Sequence, residues 1–406
     1  MMTAKVHELN AWRHNLDMGE KGPKKNLTNL MLHLKSLRGL GDELKFNELT
    51  GNIEWKGRDL RDTDYVDIRI IIEQAGFDPK AQDVPIAVLR TAEYSAYNPV
   101  QDYLNGLQWD GVKRCSVWLH SVFDADNNLI NSAFGKMFLI GAVARALDPG
   151  AKMDTMLILE GEQGIRKSSA VAALFGADYV MNGLPGFKGQ EAALALQGKW
   201  AVDLGELAGF GKTDIRTIKN YLTLTIDNYR PLWAKHYINR PRRVVFVGST
   251  NEHAYLDDPT GARRFWPVAC RTVHLEKLIA IRDQLWAEAV QLYRDGEPWW
   301  IDRGSELDAL ANEQQADRFQ EDPWAPDIDS YLQSPDVKYR VCVTAAEILK
   351  WLNVPVDRRD ARSESRVTKH LTYRGWGRVR CMRHGLNVNW WFPADQMPET
   401  KQGRKA

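Results

Sequence analysis

One stretch constrains this chain more than any other: residues 153–173, MDTMLILEGEQGIRKSSAVAA. The apolar run 155–159 predicts a buried strand, and the Ala-bearing run from Lys167 predicts a helix. Between them Gly161, Gly164, Lys167 and Ser168 fall on the spacing G-x-x-x-x-G-K-[ST], with Arg166 where the motif's second glycine belongs. A loop of this kind captures phosphate. Its backbone N–H groups point inward, the lysine reaches the terminal phosphates, and the first serine hydroxyl ligates magnesium. The helix after the loop adds its positive end, and Ser169 lies in its first turn. Arginine at 166 tolerates positive φ poorly, so the sequence sets hydrolysis, more than the fold, in question.

Beyond the loop, the pattern suits a nucleotide site. The run WAVDLGE at 200–206 predicts a strand ending in acids about 35 residues downstream of the loop. Asp203 and Glu206 are its candidates for holding magnesium or orienting water. The run VVFVGST at 244–250 predicts a further buried strand that ends on Asn251, an amide placed to orient an attacking water. Arg263 and Arg264 then stand side by side, either solvated charge or a finger for a neighbouring subunit's site. Between these strands, 227–243 (DNYRPLWAKHYINRPRR) interleaves basic and aromatic residues. Arg230, Trp233, Lys235 and His236 suit a strand–loop–strand finger on single-stranded DNA. The bland alternative is a loop whose aromatics pack locally.

Periodicity organises the remainder. Residues 1–26 read as a frayed lead-in. Helices are expected over 62–75 and 83–97, with two short strands in 44–55. Further helices are expected over 132–147, 213–224 (capped by Thr213), 274–300 and 303–320. The proline-bearing segment 321–329 reads as a boundary. Beyond it, Thr344 and Glu347 form a capping box, 363–374 is a basic helix, and strands flank the turn His384-Gly385. Residues 358–384 hold nine Lys/Arg against two acids on a chain of net charge +1. Helix, basic helix and hairpin resemble a winged helix-turn-helix, with Arg366, Lys369, Arg374, Arg378 and Arg380 as candidate contacts to duplex DNA. Such modules also dock proteins, and that alternative stands beside the first. The tail 396–406 reads as disordered.

Composition excludes several classes. Charged residues make up 26% and hydrophobic residues 44%, as in ordinary globular chains. The four cysteines have no metal-ligand spacing, which fits a reducing cytoplasm and leaves zinc without a site. No run of 18 apolar residues predicts a membrane span.

Taken together, Gly161–Ser169, GKWAVDLGEL at 198–207, 229–235 and VFVGSTNEHAYLDDPTGARRFWPV at 245–268 resemble the virulence-associated protein E family. These are phage- and genomic-island-encoded ATPases similar to superfamily 3 helicases of the AAA+ group. The resemblance covers roughly residues 98–268. It implies an α/β P-loop ATPase core that binds ATP and Mg²⁺, a homo-oligomeric ring (a hexamer), and DNA unwinding at a replication origin. By the same resemblance Lys167 and Ser168 match the Walker A residues, and Glu206 the Walker B acid with Asp203 a second acidic position. Asn251 matches the sensor, and Arg263 or Arg264 the arginine finger. Larger relatives carry a primase-polymerase module, so priming is expected from a separate protein. The expected layout is a mainly helical domain over 1–130, the ATPase core over 131–325 and the winged helix over 326–395. Two rival functions remain: a nucleotide-switched DNA-binding initiator, which Arg166 favours, and a small-molecule P-loop kinase, which the C-terminal module disfavours.

Overall fold

The computed structural model describes residues 11–205, 212–230, 236–252, 255–256, 262–318, 322–383 and 385–398. At its centre is a parallel sheet of five strands: β1 Met156–Glu160, β2 Val180–Asn182, β3 Ala201–Leu204, β4 Val245–Thr250 and β5 Phe265–Ala269. Their order across the sheet is β5-β1-β4-β3-β2. Every residue of β1 and β4 is buried. That is why these strands read as continuous apolar runs: a parallel sheet is covered on both faces.

Alternate side chains feed two separate cores. Leu157, Leu159, Val245, Val247, Trp266 and Val268 pack under helices α1 (Leu129–Leu147), α2 (Lys167–Phe175) and α3 (Leu275–Arg294). Met156, Ile158, Val202, Phe246 and Phe265 point the other way, onto Ile218, Tyr221 and Leu222 of the helix Lys212–Leu222. At about 25 cal/mol per Å² of apolar surface, each such layer is a large stabilising term. α1 is long and apolar enough to cross a membrane, but 83% of that stretch is buried inside the fold. It is the central core helix, and it starts at Leu129 rather than 132 because Asn128 caps it.

The N-terminal region builds its own core. Helices Leu27–Ser36, Asp62–Gln74 and Val84–Glu93 and a four-stranded sheet enclose Trp55, Ile68 and Ile72. Two expectations change here. Residues 11–26 are not a frayed lead-in, since Trp12 meets the His33 ring edge-on at 4.7 Å. The helix expected over 83–97 stops at Glu93, and Ala96–Tyr97 joins the sheet, where the Tyr97 hydroxyl donates to Glu54 Oε2 at 2.6 Å. Val100, Leu104, Trp118 and Phe123 pack with the central sheet, so a division at residue 130 falls inside one hydrophobic cluster.

Near the C-terminus, helices Ala325–Leu332, Ala345–Trp351 and Ala361–Tyr373 and the hairpin Trp376–Arg383/Leu386–Pro393 enclose Ile328, Val343, Ile348, Leu371 and Trp391. The Thr344–Glu347 capping box is formed as the sequence requires. α3 ends at Arg294, not at 300. Gly296 takes φ +79° just beyond it, a conformation that stops a helix. The helix expected over 303–320 spans Glu306–Ala316. The helix expected over 213–224 is described as Lys212–Leu222, which places Thr213 inside it.

Candidate functional site

A parallel sheet gathers the loops after its strands along its carboxyl edge, where ligands of such sheets bind. Here the loops after β1, β3 and β4 border an open cleft of about 1000 Å³. β1 leads into Gly161. A Cβ at that position would lie 2.4 Å from the Cys270 carbonyl oxygen, so only glycine fits where β1 and β5 converge. Gly164 takes φ +88°.

Arg166 adopts φ 72°, ψ 30°, the left-handed conformation that a glycine would take there. For arginine this costs about 1–2 kcal/mol. Its side chain extends outward at the rim, with NH1 3.7 Å from Glu276 Oε1 on α3. The sequence-level objection therefore meets a loop of the required shape. Ser168 and Ser169, in the first turn of α2, line the cleft beside Gly164 and Arg166.

Lys167 Nζ donates to the Gly161 carbonyl at 2.6 Å and the Glu162 carbonyl at 2.8 Å, which ties the two ends of the loop. Burial pulls its ammonium below the usual lysine range, and nearby Asp203 works against that pull. Asp203 comes from β3 and lines the cleft with Ser168, whose hydroxyl favours its ionised carboxylate. Burial lifts its carboxyl above the usual range, against Ser168 and Lys167. Asp203 Oδ1 is buried with no hydrogen-bond partner among the described residues. An orphaned carboxylate oxygen next to a serine hydroxyl is a donor set that fits Mg²⁺, which takes one or two protein oxygens and completes its octahedron from phosphate and water. Among the described residues no group of three His, Cys, Asp or Glu could hold a metal by itself.

Asn251, exposed at the tip of β4, lines the same cleft, and the Thr250 carbonyl fixes the loop by accepting from Gly161 N at 3.0 Å. Lys167, Ser168, Asp203 and Asn251 thus line one cleft at the carboxyl edge of the sheet. Glu206 lies outside the described residues. Sequence reasoning missed Asn182 and Gly183, which border the cleft beyond β2. The only signal was a polar residue ending a short apolar run.

Arg263 and Arg264 are elsewhere. They sit in a short 3-10 turn leading into β5, where Phe265 is paired with Met156. That is the amino edge of the sheet, one strand length or roughly 15–20 Å from the loop at about 3.3 Å per residue. Arg264 is half-buried with Nε 3.9 Å from Asp154 Oδ2, whereas Arg263 is exposed.

The finger is a hairpin, Ile226–Tyr229 paired antiparallel with Ile238–Pro241. Three of its arginines are taken up at its base. Arg242 donates to Asp227 Oδ2 at 3.0 Å and stacks 4.2 Å from the Tyr221 ring centre. Arg240 donates to the Glu48 and Leu49 carbonyls, and Arg243 to Glu48 Oε2 at 3.4 Å. Arg230 and His236 are exposed. Trp233 and Lys235 lie outside the described residues.

In the C-terminal module, Arg366 is held by Asp322 (Nε to Oδ2 2.7 Å, NH2 to Oδ1 2.6 Å) and lies 3.5 Å over the Trp324 ring. Arg374 pairs with Asp329, Nε to Oδ1 at 3.0 Å. These two expected DNA contacts are thus engaged within the chain. Lys369, Arg378 and Arg380 are exposed. Arg378 and Arg380 project from one face of the hairpin, as residues two apart in a strand must, and Arg380 is paired with Asn389.

Residues 104–320 match the model of the virulence-associated protein E-like domain. No curated protein matches the chain. Among solved structures, the apo NrS-1 C-terminal region (305–718) is 13% identical with TM-score 0.48, over 86% of this chain and 95% of that one. An A-form apo structure of the same region is 12% identical with TM-score 0.46, over 86% and 96%.

Proposed function

The chain belongs to the virulence-associated protein E-like family, and on that premise we propose that it is an ATP-dependent DNA helicase or translocase of phage or mobile-element replication. The observation that carries this reading is the Ser168–Asp203 pair, with its orphaned oxygen, beside Lys167 at the carboxyl edge of the parallel sheet. Lys167 exchanges its loop carbonyls for the terminal phosphates of ATP. Ser168 and Asp203 hold magnesium, which neutralises charge on the β- and γ-phosphates when bound. Glu206 polarises the attacking water and Asn251 orients it. Neither Arg263 nor Arg264 can reach the loop of its own chain, which supports a finger acting across a subunit junction of a ring, a hexamer by family resemblance. Arg263, exposed and untethered by Asp154, is the better placed of the two.

In this reading the P-loop core spans 131–325 together with the helices of 99–123, and 326–395 is a winged helix on duplex DNA. The hairpin 226–241 contacts single-stranded DNA with Arg230, Trp233, Lys235 and His236. Priming is left to a separate protein. A second reading, a nucleotide-switched initiator with little hydrolysis, draws on the strained Arg166 and on Lys167 being bound to its own loop. Turnover of ATP with and without single-stranded DNA decides between them. Stimulated turnover that Lys167→Ala abolishes supports the helicase; tight ATP binding without turnover supports the switch.

A further inference from the structure

A second concavity, of about 400 Å³, opens at the amino edge of the sheet, at the opposite end of β1 from the phosphate loop. That volume lies within the range of small-ligand sites. Trp299 and Trp300 form one wall, their rings 5.1 Å apart and nearly perpendicular at 83°. Both indole N–H groups are already engaged: Trp299 Nε1 donates to the Lys152 carbonyl at 2.9 Å, and Trp300 Nε1 to Asp302 Oδ1 at 3.0 Å. What the rings have left to offer is their faces, and Trp300 is 49% exposed.

Cations line the remainder. Lys152, Arg264 and Arg303 border the cavity, with Arg263 alongside, against Asp154 and Asp308. Asp308 is committed to the Gly304 N–H at 2.9 Å. Asp154 stands 3.9 Å from Arg264 Nε, too far for a hydrogen bond. Arg264 Nε and Thr155 Oγ1 are both buried among these lining residues with no hydrogen-bond partner among the described residues. An unpaired buried donor in a native fold requires an explanation, and a ligand in the adjoining cavity supplies one. A fixed aromatic face, a surplus of cations and orphaned donors within one small cavity match a flat ring joined to an anion.

We propose that this cavity binds a nucleotide unit, with the base stacked on Trp300 and the phosphate held by Arg264, Arg303 and Lys152. An acidic peptide would satisfy the cations but leave the indole face unused. The same chemistry has two sources, a nucleotide within a single DNA strand or a free mononucleotide. The proposal needs neither ATP hydrolysis nor a ring.

The test is anisotropy of a fluorescent oligothymidylate on the full chain without magnesium, for wild type, Trp300→Ala, Trp300→Phe and Arg303→Ala. Loss of one stacked base weakens binding on the order of tenfold. Trp300→Ala should show that loss and Trp300→Phe should recover most of it. Arg303→Ala should flatten the salt dependence by about one phosphate. Thymidine monophosphate is titrated directly as a second arm, read by the change in Trp300 fluorescence against the Trp300→Phe background. Binding of the monophosphate assigns a free nucleotide; binding of the oligomer alone assigns a strand. If Trp300→Ala leaves both probes at wild-type affinity, or if polyglutamate displaces the oligomer from wild type and Trp300→Ala alike, the proposal fails. DNA-free ATP turnover, read in parallel, stays at wild type in Trp300→Ala. Its absence in wild type would undo the enzymatic reading without touching this site.

Discussion

Arg318 grips Glu160 with two hydrogen bonds, Nε to Oε1 at 2.7 Å and NH2 to Oε2 at 2.8 Å, directly before the loop that opens at Gly161. Tyr255, just past β4, gives its hydroxyl hydrogen to the same carboxylate at 2.7 Å. Both members of the ion pair are buried. The last residue of β1, the segment after β4 and the end of the helix Glu306–Ala316 are thereby held at one point.

Breaking that pair should be costly. Arg318→Met leaves a buried carboxylate uncompensated and should lose about 3–5 kcal/mol of stability in urea unfolding. Adding Glu160→Gln to it should restore much of the loss, because the charge left without a partner is then gone. Equal instability of the single and double variants would refute the coupling.

Asp203 should show stability traded against function. Its folded carboxyl titrates above its unfolded value, so the folded state holds the proton more tightly and stability falls as pH rises through the folded pKa. Asp203→Asn removes that penalty and should gain about 1 kcal/mol at neutral pH. The same variant should lose the stabilisation that Mg²⁺ with ATP gives the wild type. Thermal melts at pH 5 and pH 8, with and without Mg²⁺–ATP, read both effects.

The finger is tested by mixing. Arg263→Ala should lower turnover on the order of 10³-fold while barely altering ATP binding. Lys167→Ala is inactive by itself, yet mixing the two should return part of the activity, because some junctions then pair an intact lysine with an intact arginine. No recovery at any ratio would mean the arginine does not act across a junction, and wild-type turnover of Arg263→Ala would place it outside the reaction. Arg264→Ala, measured in the same way, shows whether its tether to Asp154 withholds it.

On duplex DNA, Arg378→Ala with Arg380→Ala should reduce the salt slope by about two phosphates' worth. Arg366→Ala and Arg374→Ala should instead destabilise the C-terminal module, since each removes an ion pair that ties Ala361–Tyr373 or the residue after it to Asp322 or Asp329. If the latter pair changes the slope and the former does not, the exposed face of the hairpin is not the DNA surface.

The parts legible in the sequence were those set by local chemistry. Apolar runs placed β1, β3 and β4 within a residue or two, and glycine and lysine spacing placed the loop. Partners distant in the chain were not legible. Interleaved cations at 227–243 read as a nucleic-acid stripe because nothing local reveals that Glu48 and Leu49 hold Arg240 and Arg243, or that Asp227 neutralises Arg242. Arg366 and Arg374 likewise have partners distant in the chain, Asp322 and Asp329. Glu160 and Arg318 lie 158 residues apart and carry no pattern at all. Trp299 and Trp300 were read as the end of a helix, because periodicity does not register the glycine that ends it at 296.

The pinned base of the hairpin has a mechanical meaning. Arg242 has no exposed side-chain surface and clamps one strand to the other, while Arg240 and the Gly198 N–H hold the turn at Glu48–Leu49 of the N-terminal region. A displacement of the strand pair must break these bonds or draw residues 48–51 with it, so the hairpin root couples the N-terminal region to the edge of the central sheet.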